Sequence, residues 1–167
     1  MRRTALFISI VMALLLPMST AMAKTVLGNA KANTLRGTSD MDLIKGRGGR
    51  DDIRGRAHRD KVKGGTGRDV VYGMKGADVV VGGTQADDLY GGSGNDKIRS
   101  AGDADPDQVF CDHGRDDKAT IGSGDAVDNQ QVTTSNIAFV SGDTSCETIT
   151  LVLNDGTRVT ASNGMLR

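Results

Sequence analysis

The chain has 167 residues, 23 of them glycine, with no tryptophan, two tyrosines and three phenylalanines. So few aromatics argue against a conventional globular core, and 21 basic against 21 acidic residues leave the whole sequence without net charge. Full disorder is the alternative that such a composition raises, and it is opposed by an aliphatic residue kept at one position in nine over a long stretch.

The chain opens Met1-Arg2-Arg3, runs apolar from Ala5 to Leu16 and reaches Ala21-Met22-Ala23. A basic start, a short apolar run and an A-x-A site predict a secretory signal peptide over 1–23, cleaved after Ala23. The apolar run is shorter than the ~20 residues that span a bilayer, and no later segment is apolar enough to do so. The mature chain, Lys24 to Arg167, has 144 residues, enough for one domain, with 19 basic and 21 acidic side chains. Lys31 to Arg68 holds 11 basic and five acidic residues, whereas Ser100 to Arg167 holds four and 11.

Eight nine-residue units follow without a gap from Gly28 to Arg99: GNAKANTLR, GTSDMDLIK, GRGGRDDIR, GRAHRDKVK, GGTGRDVVY, GMKGADVVV, GGTQADDLY and GGSGNDKIR. Position one is always Gly. Position six is Asn33, then Asp42, Asp51, Asp60, Asp69, Asp78, Asp87 and Asp96. Position eight is Leu35, Ile44, Ile53, Val62, Val71, Val80, Leu89 and Ile98. A period of nine is too short for a helical repeat and suits a turn plus a short strand. Positions one to six are expected to form the turn, where Gly permits positive φ and close backbone approach. Positions seven to nine are expected to form the strand, with position eight inward and its neighbours outward.

Two units then make one coil, and turns 18 residues apart stack. One edge stacks Asn33, Asp51, Asp69 and Asp87; the other stacks Asp42, Asp60, Asp78 and Asp96. Like charges this close repel unless a cation lies between them. Carboxylates with turn carbonyls are the hard oxygen donors that Ca²⁺ takes, six to eight at ~2.3–2.6 Å, and Mg²⁺ fits such a cage less well.

The units match G-G-x-G-x-D-x-U-x most fully at Gly64–Tyr72 and Gly91–Arg99, and through them the chain resembles the hemolysin-type calcium-binding repeat, the RTX nonapeptide or β-roll family. The resemblance covers 72 residues. It implies an all-β fold, a parallel β-roll (a right-handed β-solenoid), with Ca²⁺ held between successive turns. Carried over residue by residue, the metal ligands are Asp42, Asp51, Asp60, Asp69, Asp78, Asp87 and Asp96, with Asn33 a weaker candidate. Position two is Gly only at Gly65, Gly83 and Gly92, and position four only at Gly49, Gly67, Gly76 and Gly94. The best-formed turns are therefore expected within Gly64 to Asp96, and weaker ones near Lys31, Arg47, Arg56 and His58. Eight aliphatic side chains do not offset the ordering of 72 residues, so folding is expected to depend on calcium.

After Ser100 and Ala101 the phase resumes, shifted, in GDADPDQVF, CDHGRDDKA and TIGSGDAVD. These degenerate units (102–128) make Asp107, Asp116 and Asp125 further possible ligands, with Lys118 breaking the aliphatic column. The β-roll domain is thus expected over 24–128. In 129–167, Asn129 to Ser145 reads as a polar loop and Glu147 to Ser162 as a hairpin capping the roll, turning at Asn154-Asp155-Gly156. Cys111 and Cys146, the only cysteines, are expected to form a disulfide in a secreted chain, in preference to a metal or reactive-thiol site. Short secreted proteins resembling this one carry the same Cys-x-x-Gly-Arg-Asp turn and a later Cys-Glu, here Cys146-Glu147.

No HExxH, G-x-S-x-G or P-loop is present, so no enzyme is expected. His58 and His113 read as solvated turn residues. The functional expectation is a secreted calcium-binding protein with a structural or surface-associated role, exported by a Sec-type route. The alternative is a module binding an anionic cell-surface polymer through Arg36, Lys45, Arg54, Lys63 and nearby basic residues of the early repeats; nucleic acid is not expected as a partner. Ice binding would want regular threonine ladders, which the outward positions lack.

Overall fold

A computed structural model describes residues 23–100, 102–128, 130–131 and 146–162. The expected signal peptide, most of the loop expected between Asn129 and Ser145, and residues 163–167 lie outside them.

Every regular element among the described residues is a β-strand. The strands alternate between two sheets. The first contains β1 (Lys24–Leu27), β3 (Asp42–Gly48), β5 (Lys61–Thr66), β7 (Val79–Thr84), β9 (Lys97–Arg99), β11 (Lys118–Ile121), β14 (Thr148–Val152) and β15 (Arg158–Ser162) in that spatial order. The second contains β2 (Thr34–Arg36), β4 (Asp52–Ala57), β6 (Val70–Lys75), β8 (Asp88–Ser93), β10 (Gln108–His113), β12 (Ala126–Val127) and β13 (Gln130–Gln131). Neighbours within each sheet pair in parallel until the last strand of each, which returns antiparallel. The result is a β-roll of about six coils.

The period of nine produces this directly. Each coil is two units, so residues 18 apart become register partners: Ile44 with Val62, Val62 with Val80, Ile53 with Val71. Position eight points inward in both sheets, and Ile44, Ile53, Val62, Val71, Val80, Leu89 and Ile98 are all buried. The core among the described residues is this double column, continued by Val109, Ala119, Val127 and Ile149 and filled at its C-terminal end by Ile121, Leu151, Ala161 and the two cysteines.

Three expectations need correction, and one strand is added. Full strands run from position seven through position three of the next unit, six residues where three were expected, so the turn proper is positions four to six. A strand also precedes the first glycine: β1 pairs with β3 and sets Val26 beside Ile44. Lys118 does not break the aliphatic column, because one extra residue in that unit brings Ala119 into register with Ile98, where it is buried. Gln130 and Gln131 belong to a strand on Val127 and Ala126 rather than to a loop.

The hairpin forms as expected. Strands β14 and β15 pair from Thr148↔Ser162 to Val152↔Arg158, closing through Gly156 at φ +83°. Strand β14 docks in parallel on β11, so Ile149 and Leu151 continue the core over Ala119 and Ile121. Cys111 and Cys146 are bonded, with Cα atoms 5.2 Å apart and both side chains buried, tying β10 to the start of the hairpin.

Candidate metal centre: two ladders of buried carboxylates

Position six builds a continuous ladder along each edge. On one edge Asn33 N–H donates to Asp51 Oδ1, Asp51 to Asp69, Asp69 to Asp87, Asp87 to Asp107 and Asp107 to Asp125, at 2.7–3.0 Å. On the other, Asp42 N–H donates to Asp60 Oδ1, Asp60 to Asp78, Asp78 to Asp96 and Asp96 to Asp117, at 2.7–2.8 Å. Lys24 N–H opens this edge on Asp42 and Glu147 Oε2 closes it, accepting from Asp117 N–H at 2.6 Å.

One oxygen of each carboxylate is thereby used. The other, Oδ2 of Asp51, Asp60, Asp69, Asp78, Asp87, Asp96 and Asp117, is buried and has no hydrogen-bond partner among the described residues. A buried carboxylate oxygen without a donor is strongly unfavourable, so a cation between the turns fits these residues. Removal from water pushes the carboxyls up from 3.8: Asp60, Asp69 and Asp117 to about 6, Asp78 and Asp87 to about 7, Asp107 to about 8. The amide donated from the preceding rung opposes this rise and neighbouring carboxylates add to it. Asp51 and Asp96 are raised for the same first cause.

The two ends of the ladders are built differently. Asp42 Oδ2 is bonded by Thr38 N–H and Thr38 Oγ1, and Asn33 Oδ1 by Asn29 N–H. Asp125 Oδ2 accepts from Ser100 Oγ and Gly122 N–H. Asp116, expected at position six, is exposed and pairs with Lys118 at 3.2 Å; the extra residue puts Asp117 on the ladder in its place.

Backbone conformation explains the change after the second unit. From Gly46 to Gly94, positions two and four have positive φ whatever residue occupies them: Arg47 (82°), Arg56 (98°) and Met74 (84°) at position two, His58 (68°) and Gln85 (73°) at position four, and Gly elsewhere. Asn29, Lys31, Thr38 and Asp40 do not. The turns with Arg47, Arg56 and His58 therefore share the backbone of the glycine-rich ones, although their sequences suggested weaker turns. Carbonyls of positions two and four point along the stack: a Cβ on Gly65 would meet Arg47 O, and one on Gly76 would meet His58 O.

Position one is Gly for space and not for φ, since none of the eight has positive φ. A Cβ on Gly55 would lie 2.6 Å from both Asp60 Oδ2 and Gly73 O, and one on Gly91 2.8 Å from Asp96 Oδ2 and 2.9 Å from Cys111 O. The free carboxylate oxygen and the carbonyl of the next coil thus meet in the groove that the missing side chain opens.

A sequence model of the RTX calcium-binding nonapeptide repeat matches four overlapping stretches, residues 27–62, 55–89, 63–98 and 72–105. Residues 27–105 belong to the RTX calcium-binding repeat family. No curated protein and no solved structure matches the chain. RTX nonapeptide repeats bind Ca²⁺ between turns, and the buried Asp ladders fit that chemistry. The RTX β-roll is a structural fold and not a typically catalytic one. RTX proteins are typically extracellular, and the Cys111–Cys146 bond fits an oxidising milieu.

The outward faces hold what the repeat pattern left unexplained. Position nine of the second sheet stacks Arg54, Tyr72, Tyr90 and Phe110. The rings lie 4.7 Å apart at each step and the Arg54 guanidinium sits 5.4 Å over Tyr72. Their presence at 18- and 20-residue spacing was the available signal.

Proposed function

We propose that the protein is an exported calcium-folded module in which Asp51, Asp60, Asp69, Asp78, Asp87 and Asp96 supply the carboxylate ligands, with turn carbonyls completing each cage. Asp117 extends the set. Asp42 is a poorer donor, because its second oxygen already accepts two hydrogen bonds. The carrying observation is the row of buried Oδ2 atoms without a hydrogen-bond partner among the described residues, which a cation between the turns would satisfy. Calcium supplies the charge that lets the turns stack. The chain's own residues set the geometry: Oδ1 is fixed by the amide one coil away, and Oδ2 is left for the metal.

Export follows from the basic–apolar–small pattern of 1–23 and is consistent with the buried disulfide. The role fitted to such a module is structural or surface-associated.

Calorimetric titration with calcium, in parallel with circular dichroism, tests this. Wild type should take up several calcium ions and gain β-structure together. Asp78→Asn with Asp87→Asn should lose ions and need more calcium to fold. Identical spectra in excess chelator and in millimolar calcium would end the proposal.

A further inference from the structure

Charge is divided between the two faces of the roll as well as along it. The outward positions of the first sheet present Lys45, Lys61, Lys63, Lys97, Arg99 and Lys118, all exposed. The other outward residues at positions seven and nine of β3, β5, β7, β9 and β11 are Leu43, Val79, Val81 and Thr120, so no carboxylate stands there. Among the described residues only Lys118 of these six has an ion pair, to Asp116. The opposite face carries both signs: Arg54 pairs with Asp52 at 3.1 Å, and Asp88 pairs with Arg68 of the adjoining turn at 3.6 Å.

This arrangement opposes folding. Lys45 and Lys63 are direct register partners, as are Lys97 and Lys118, and like charges on adjacent strands are destabilising. The fold does not require them, because the intervening strand β7 carries Val79 and Val81 in the same columns. A rule broken locally without structural return marks a functional surface.

We propose that this face binds a linear anionic polysaccharide. The cations occupy two columns about 7 Å apart and run four strand spacings, about 19 Å, along the roll. That is a narrow strip suited to one extended chain. Stacking on bases needs aromatic rings, and the rings of Tyr72, Tyr90 and Phe110 lie on the other sheet. Lysines are point charges that suit sulfate or carboxylate groups of varied orientation. A recess of about 600 Å³ beside Val81, framed by Lys45, Arg47 and Lys63, offers an apolar floor between charges. The proposal rests on calcium folding the roll, since only the folded roll gathers these side chains.

Dextran sulfate is the probe, with uncharged dextran as control, titrated calorimetrically at fixed free calcium and followed by circular dichroism. Wild type should bind dextran sulfate with affinity that falls as salt rises, and ignore dextran. Replacing Lys61→Gln, Lys63→Gln and Lys97→Gln together should weaken binding roughly tenfold or more with the β-signal retained. The same charge change on the turns, Arg50→Gln, Arg59→Gln and Arg115→Gln, should leave it nearly unchanged. Equal losses in both triple variants, folded wild type that ignores dextran sulfate, or tighter binding to single-stranded DNA or phosphatidylglycerol vesicles each overturn the proposal. A wild type equally β-rich and equally competent in chelator would remove the calcium reading while supporting the face.

Discussion

The backbone amide of Asp96 donates to Asp117 Oδ1 at 2.7 Å across 21 residues, whereas the rungs below it on that edge span 18. Three extra residues on this path, two in sequence between Arg99 and Gly102 and one more within the unit beginning at Cys111, leave the ladder unbroken. Asp117→Asn should therefore raise the calcium needed for folding, losing roughly 1–3 kcal/mol of calcium-dependent stability. Asp116→Asn should stay within about 0.5 kcal/mol of wild type, as an exposed side chain does. A circular dichroism titration of the two variants separates them, and equal effects would return Asp116 to the ladder.

How far the sequence led is clear from that pair of aspartates. Three columns in phase, Gly at one, Asp at six and an aliphatic residue at eight, were enough to place Asp51 through Asp96 on two edges and Ile44 through Ile98 in the core. Asp117 was missed because a single inserted residue shifts the frame, and because Ala119 is too small to advertise a core position. Glu147 was hidden for a different reason. Its ladder role exists only once the hairpin docks on β11, a contact 30 residues distant in sequence. The left-handed conformation of Arg47, Arg56, His58, Met74 and Gln85 was equally unreadable, because neighbouring coils impose it against their own preference.

Those left-handed residues give a pair of opposed substitutions. A non-glycine residue in that region carries roughly 1–2 kcal/mol of strain, and glycine adds roughly 0.5–1 kcal/mol of unfolded-state entropy. Met74→Gly or His58→Gly should thus stabilise the calcium-bound roll by up to about 1 kcal/mol. Gly55→Ala should do the reverse, by roughly 1–3 kcal/mol, because its Cβ would meet Asp60 Oδ2 and Gly73 O at 2.6 Å. Thermal melts in saturating calcium check both signs, and a stabilised Gly55→Ala would refute the packing explanation for position one.

The ladder carboxyls predict pH effects of opposite sign with and without calcium. Their raised values, about 6 to about 8 against 3.8 unfolded, mean that the folded chain holds protons more tightly than the unfolded one. Without calcium, the resulting destabilisation is fully present above about pH 8, shrinks as pH falls and vanishes below about 3.8. In chelator, acidification from pH 8 to 5 should therefore increase β-structure. In calcium the same protons compete with the metal, so the calcium midpoint should rise between pH 8 and 6. Titrations at three pH values in each condition check this, and a midpoint independent of pH would exclude metal binding at these carboxyls.

The disulfide holds the end of this machinery in place. Cys146 is bonded to Cys111, which stands in the coil above Gly91, and the next residue, Glu147, supplies the terminal ladder oxygen to Asp117. The bond closes 35 residues of sequence, for which the chain-entropy model gives about 3.8 kcal/mol. Cys111→Ser with Cys146→Ser should lose roughly that much stability. The loss should be concentrated at the C-terminal coils, where hydrogen exchange would show β11 and β14 opening before β4 to β7. Glu147→Gln keeps the disulfide and an acceptor oxygen but removes a charge next to Asp117. It should leave the β-signal in chelator unchanged and weaken only the last calcium site. If Glu147→Gln instead matched the double cysteine variant in both buffers, the glutamate would be a fold determinant and not part of the metal-binding edge.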